Sequence, residues 1–360
     1  MNASMSKKAR TRVLLVDDSA VVRKLLGDAL RKHDDIEVIG GAADPYIARD
    51  MILQHKPDVI TLDIEMPRMD GLSFLRKLME HHPIPAIVVS SLTQQGSVAS
   101  VEALRIGAID VIGKPGGPHA VGEVADRVAE RIRALRTGSP IRLGRLMPDA
   151  PAADQAAARS AGRLRGLIAI GASTGGTQAI ETVLTRMPAD VPPIVIVQHM
   201  PAGFTKAFAA RLNGVCRMRV VEAAGNEPLE RGVAYVAPGG HHLTVDRLGL
   251  RLLTRLDQNE PIHYQRPAVD ALFTSASRLR GLPIVAMLLT GMGADGAEGM
   301  LALRQAGAET IAEAEESCVV FGMPKEAIAR GGAGHIASLL AIPHLVVDLL
   351  ARLNRARRAS

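Results

Sequence analysis

Aromatic residues are nearly missing: the 360-residue chain has no Trp, three Tyr and five Phe. A core built from it must be aliphatic, which suits parallel α/β sheets rich in Val, Ile and Leu. The two cysteines, Cys216 and Cys318, form no CxxC pair. That argues against a disulfide framework or a zinc site, and it points to a reducing compartment, the cytoplasm. No run of about 18 apolar residues occurs, so a membrane span is not expected. The polar, basic stretch Met1–Arg12 does not read as a signal peptide. Too few aromatics are present to stack bases, and there is no helix-turn-helix signature. The net charge of +6 therefore reads as basic flanks, such as Arg352, Arg355, Arg357 and Arg358, and no nucleic-acid partner is expected.

What is abundant is aliphatic: 47% of residues are hydrophobic, and the length suits about two domains. Over 11–136, strand-like runs (13–16, 37–40, 59–62, 86–89 and 110–112) alternate with amphipathic helical stretches. Five such units predict a doubly wound, five-stranded parallel sheet. The stretch 137–165, with Gly138, Pro140, Pro148, Pro151 and an alanine-rich piece, reads as a linker. Over 166–355 the α/β pattern resumes, predicting a mostly parallel sheet with a small antiparallel insertion. A hairpin turn is expected at Arg247-Leu248-Gly249.

In open α/β sheets the working site lies at the carboxyl ends of the strands. In the first half those ends carry Asp17-Asp18, Asp63, Ser90 and Lys114. Two acids alone would read as a helix N-cap. Three clustered carboxylates need a cation, and oxygen-only ligands favour Mg²⁺. A carboxylate so neutralised can attack a phosphoryl donor, with Lys114 pairing the new charge. The runs "LLVDDSA", "DVITLDIEMPRMDGLSFL", "IVVSS" and "VIGKP" resemble response-regulator receiver domains. The resemblance implies a flavodoxin-like fold with Asp63 as phosphoacceptor. Asp17, Asp18 and Asp63 would hold Mg²⁺, Ser90 would be the switch hydroxyl and Lys114 the companion lysine. The switch aromatic of that family is not evident; Ile109 lies in its neighbourhood.

In the second half, the apolar run Leu167–Ile170 leads into Gly171-Ala172-Ser173-Thr174-Gly175-Gly176. A glycine-lined turn after a buried strand either presents a nucleophile or cradles an anion. Neither GxGxxG nor GxxxxGK[ST] is present. His199 follows the apolar run Ile194–Gln198, and Asp295 lies in the glycine-rich loop after Val285–Leu289. If these strands are neighbours, serine, base and orienting acid gather at one edge of a sheet. The glycines let amide N–H groups approach an oxyanion, with Met292 N–H as a candidate donor. The order Ser, His, Asp is not that of α/β-hydrolases, despite the GxSxG pattern. His241 and His242 point to opposite faces of a strand, so they are expected to be structural rather than metal ligands. Cys318, in a strand-like apolar run, reads as core.

The runs "LIAIGASTGGTQAI", "IVIVQHMPAGFTKAFA", "AYVAPGGHHL", "RPAVDALF", "LLTGMGADGAEGM" and "ESCVVFGMPKEAI" resemble the catalytic domain of chemotaxis methylesterases, the CheB family. The resemblance implies a nucleophile at Ser173, a base at His199, an orienting acid at Asp295, and oxyanion or site support from Thr174 and Met292. It further implies hydrolysis of glutamate methyl esters on chemoreceptors with release of methanol, and deamidation of receptor glutamines. A chemotaxis-type histidine kinase would be the phosphodonor, and the receiver would inhibit the esterase until phosphorylated. No cofactor is expected in the esterase half.

Overall fold

The computed structural model describes residues 10–90, 93–114, 121–137 and 164–359. They fall into two compact units, one on each side of the 137–165 stretch. The linker expected there lies almost wholly outside the described residues.

The first unit runs β1 (Thr11–Val16), α1 (Ala20–Leu30), β2 (Ile36–Ala42), α2 (Pro45–His55), β3 (Val59–Leu62), α3 (Gly71–His81), β4 (Ala86–Ser90), α4 (Gln94–Ile106), β5 (Asp110–Gly113) and α5 (Val121–Thr137). The five strands pair in parallel in the order β2-β1-β3-β4-β5. β3 and β4 are buried at every position, as strands covered by helices on both faces must be. Short polar side chains start the helices: Ser19 accepts from Val22 N (3.3 Å), and Asp44 accepts from Tyr46 N and Ile47 N (2.9 and 3.0 Å). Because Ser19 caps α1, Asp17 and Asp18 are left for another task. The chain moves outward from β1 in both directions, so a crevice opens at the carboxyl ends of β1 and β3.

The second unit runs β6 (Leu167–Ala172), α6 (Gly176–Arg186), β7 (Ile194–Gln198), α7 (Phe204–Val215), β8 (Arg219–Glu222), β9 (Val233–Val236), β10 (His242–Leu248), β11 (Arg251–Asp257), α8 (Val269–Ser277), β12 (Ile284–Leu288), α9 (Ala297–Gln305) and β13 (Glu309–Glu313). It closes with a 3₁₀ turn (Glu315–Ser317), α10 (Met323–Ala329), β14 (His335–Ala337) and α11 (Ile342–Ala359). Seven strands form a parallel sheet in the order β14-β13-β12-β6-β7-β9-β8, and β10–β11 is a separate antiparallel hairpin. β6 is the point where strand order reverses, with β7 on one side and β12 on the other. Leu243, Val245, Val269, Leu272 and Phe273 bury the hairpin and α8 against the strands in one hydrophobic cluster.

Two local expectations shift. Leu248 pairs with Arg251, so the hairpin turn is Gly249-Leu250 rather than Arg247-Leu248-Gly249. Gly249 has φ +60°, and a positive φ at the first position of a two-residue loop favours glycine. Cys318 is half-buried at the end of the 3₁₀ turn, not in a strand. The short elements α10 and β14 carry too few periodic residues to be read from the sequence.

Candidate active site and acidic pocket

The first unit brings its predicted residues together where β1 and β3 end. One carboxylate oxygen from each of Asp17, Asp18 and Asp63 lies within 4.8 Å of the others. Lys114 Nζ reaches Asp63 Oδ2 (2.7 Å) and Asp17 Oδ2 (3.0 Å). Backbone bonds hold the cluster: Ser19 N donates to Asp17 Oδ1, and Glu65 N donates to Asp63 Oδ1. The Arg23 guanidinium grips the Asp17 and Asp18 carbonyls. Burial pushes the Asp63 carboxyl up to about 6, against the pull of Lys114. Ser90 is fully buried, and among the described residues its Oγ has no hydrogen-bond partner. Gly71 is required here, because a Cβ would sit 2.2 Å from the Asp63 carbonyl oxygen.

Ser173 follows β6 and His199 follows β7. Ala172 pairs with Gln198, so the two residues stand side by side just past the last pair of adjoining strands. His199 N donates to Ala172 O (3.1 Å), and Gln198 Nε2 donates to the carbonyls of Ser173 (2.8 Å) and His199 (3.2 Å). On the other side, Ser173 N donates to Thr290 O (3.0 Å), just past β12. Gly175 has φ +77°, and a Cβ there would lie 2.6 Å from the Val319 side chain. A Cβ on Gly291 would lie 2.8 Å from that of Ser173. These glycines are what allow the two loops to meet.

His199 Nε2 lies 2.7 Å from Asp295 Oδ2, and both side chains are buried. Asp295 also sits on the N-terminus of α8. Val269 N donates to Oδ2 (2.7 Å) and Asp270 N to Oδ1 (2.9 Å), where a helix favours an anion. Burial works to raise the Asp295 pKa, but the His199 N–H and the two amides outweigh it and hold the carboxyl low. An ionised acceptor on Nε2 leaves the lone pair of His199 on Nδ1. A serine, an imidazole and a carboxylate brought to one sheet edge are the residue types that perform acyl transfer through a covalent intermediate.

Thr174 is buried, and its carbonyl accepts from Thr290 Oγ1 (3.0 Å). Met292 is half-buried in a loop clamped by Gly291 O, which accepts from Gly322 N and Met323 N. His242 spends both ring nitrogens on backbone, near Glu260 O (3.1 Å) and Ala268 N (3.2 Å), which positions the entry to α8. Sequence reasoning missed Asp270. Its Oδ1 accepts from Gly299 N (2.7 Å) in α9 while its amide binds Asp295. An acid in the first turn of a predicted helix was the available signal, but its partner lies 25 residues away. Gln198, Thr290 and Glu313 were also missed, because each acts through a contact between strands.

A family model for the CheB methylesterase matches residues 168–346, and one for the response regulator receiver domain matches 13–125. A protein-glutamate methylesterase/protein-glutamine glutaminase of Syntrophus aciditrophicus is 49% identical over 342 residues, covering 95% of this chain and all of that one. A relative of the same name from Methylobacillus flagellatus is 49% identical over 94% of this chain and 97% of its own length. The crystal structure of the Thermotoga maritima CheB methylesterase catalytic domain is 38% identical, with a TM-score of 0.50. It covers 51% of this chain and 98% of that one. The chain belongs to the CheB methylesterase family and carries a receiver domain ahead of its methylesterase domain.

Proposed function

We propose that the chain is a phosphorylation-activated protein-glutamate methylesterase that also deamidates glutamine, acting in the cytoplasm on chemoreceptors. Residues 11–136 form the receiver, 137–165 the linker and 166–355 the esterase. The observation that carries the reading is the buried His199–Asp295 pair, seated on α8, with His199 beside Ser173 at the ends of adjoining strands.

Ser173 Oγ attacks the carbonyl carbon of a glutamate methyl ester while His199 Nδ1 takes its proton. Asp295 stabilises the imidazolium and fixes its tautomer. Negative charge gathers on the carbonyl oxygen, where the Met292 N–H and the turn at Thr174 give support. His199 then protonates the departing methoxide, methanol leaves, and the glutamyl group remains esterified to Ser173. Water, deprotonated by His199, attacks this ester and returns glutamate and the free serine. With glutamine as substrate, ammonia leaves in place of methanol.

In the receiver, Asp63 takes a phosphoryl group from a chemotaxis-type histidine kinase. The all-oxygen donor set of Asp17, Asp18 and Asp63 fits Mg²⁺. When bound, that ion would neutralise the charge of the carboxylates and the phosphoryl group. Lys114 pairs with the new anion, and the Ser90 hydroxyl, unpartnered among the described residues, donates to it. The unphosphorylated receiver restrains the esterase, and phosphorylation releases it as a coupling free energy between two sites.

Ser173→Ala, His199→Ala and their double variant test the esterase reading. Each single change is expected to lower turnover by on the order of 10⁴–10⁶, and the double variant by no more than either alone. Losses that multiply would contradict a triad acting as one unit.

A further inference from the structure

Glu313 ends β13, one strand beyond β12, and is 0% exposed. Its Oε2 accepts the Thr290 N–H (2.8 Å), while Oε1 has no hydrogen-bond partner among the described residues. Among the described residues no Lys, Arg or His pairs with it. The nearby Ser317 hydroxyl donates to Ala314 O (3.1 Å). The Ser317 hydroxyl and the Cys318 thiol act on the carboxyl in favour of its ionised form and Glu316 acts against it, and none of the three brings positive charge. Ala337 faces it on β14, and Leu289 precedes Thr290 on the other side. His335 is engaged with Glu309 at the far end of β13.

An ionised carboxylate here would be stranded, with one oxygen unsatisfied and no counter-charge. A neutral acid accepts the same Thr290 N–H and leaves no charge behind. Burial favours the neutral form and pushes the group up to about 7. Its backbone partner Thr290 is central to the site. Thr290 O accepts the Ser173 N–H (3.0 Å), and Thr290 Oγ1 bonds Thr174 O (3.0 Å) and accepts from Val320 N (2.9 Å). The bond that Glu313 Oε2 accepts thus holds the residue that clamps the Ser173-Thr174 backbone.

We infer that Glu313 is a positioning residue of the esterase site that works as a neutral carboxylic acid: protonated, it pins Thr290 and so Ser173, and ionised, it sets an unpaired negative charge behind the loop where the oxyanion forms. The inference rests on the reading of Ser173 as nucleophile. It assigns the alkaline limb of the esterase to a group that never touches substrate.

The test uses the full chain with acetyl phosphate and Mg²⁺, and a peptide bearing a glutamate γ-methyl ester. kcat and KM are measured from about pH 5.5 to about pH 9. Wild type, Glu313→Gln, Glu313→Ala and Ser173→Ala are compared. The ratio of Glu313→Gln to wild type cancels the receiver's own pH dependence. Wild-type kcat is expected to fall above about pH 7 by up to about tenfold per unit. Glu313→Gln, which cannot ionise, holds its plateau at least about one unit higher with KM unchanged. Glu313→Ala loses kcat at every pH; should it fail to fold, the Gln comparison decides alone. Identical alkaline limbs in wild type and Glu313→Gln, or a Gln variant as impaired as wild type is at high pH, overturn the inference. If Ser173→Ala keeps turnover, the nucleophile reading fails and takes the inference with it. If Ser173→Ala is dead while Glu313→Gln tracks wild type, only the inference fails.

Discussion

Replacing Asp295 by Asn perturbs the wiring of the site with almost no change of shape. The carboxylate takes three donors: His199 Nε2 and Val269 N on Oδ2, and Asp270 N on Oδ1. An amide has one oxygen and an NH₂, so one side must face a donor with a donor. With its oxygen toward His199 and Val269, the amide nitrogen confronts the Asp270 N–H. Turned round, it confronts two donors and drives the imidazole proton to Nδ1, the nitrogen needed as base. Either way the negative charge that balances the imidazolium is gone. A buried N–H left without an acceptor costs about 1–3 kcal/mol of stability. Loss of tautomer control and charge costs about 10⁴ in kcat, or about 5 kcal/mol of barrier. The assay is methanol release at saturating phosphodonor, with urea unfolding to confirm the fold. KM is expected to change little. A folded Asp295→Asn variant with turnover within about tenfold of wild type would refute this account of the triad.

Other consequences follow from specific contacts. Gly291→Ala places a methyl 2.3 Å from Met323 Sδ and 2.8 Å from Ser173 Cβ. It is expected to cost about 1–3 kcal/mol of stability and at least about 100-fold in kcat. Asp63, with its folded pKa raised to about 6, keeps a proton that the unfolded chain has lost. Stability therefore falls as pH rises from about 4 to about 6 and stays lower above. After discounting for solvent screening, Asp63→Asn is expected to stabilise the receiver by on the order of 1–2 kcal/mol at neutral pH, and not at all below the unfolded pKa. Calorimetry of the full chain at the two pH values checks it. Mg²⁺ at ten times its Kd is expected to stabilise the wild-type receiver by about 1.4 kcal/mol, a gain that Asp17→Asn and Asp18→Asn should lose in the same calorimetric scan.

Much of this was legible in the sequence because each site residue ends an apolar run. Leu167–Ile170, Ile194–Gln198 and Val285–Leu289 read as buried strands, and the side chains after them fall at one sheet edge once the strands pair. The acidic residues of the first unit follow the same rule. Contacts across the sheet were not legible. Nothing in the spacing shows that Asp295 rests on the amides of Val269 and Asp270, since α8 is held there by packing shared with the hairpin and the strands. Glu313 looks like an ordinary strand-end acid until its burial and its bond to Thr290 are seen. Periodicity also fails for elements as short as β14, three residues long.

The central claim is that Ser173 hydrolyses receptor methyl esters under the control of Asp63. Methanol release from methylated chemoreceptor membranes, with and without phosphodonor, tests it most directly. Release should rise with donor in wild type, stay at the undriven rate in Asp63→Asn, and vanish in Ser173→Ala. Equal release from wild type and Asp63→Asn under both conditions, or undiminished release from Ser173→Ala, would contradict it.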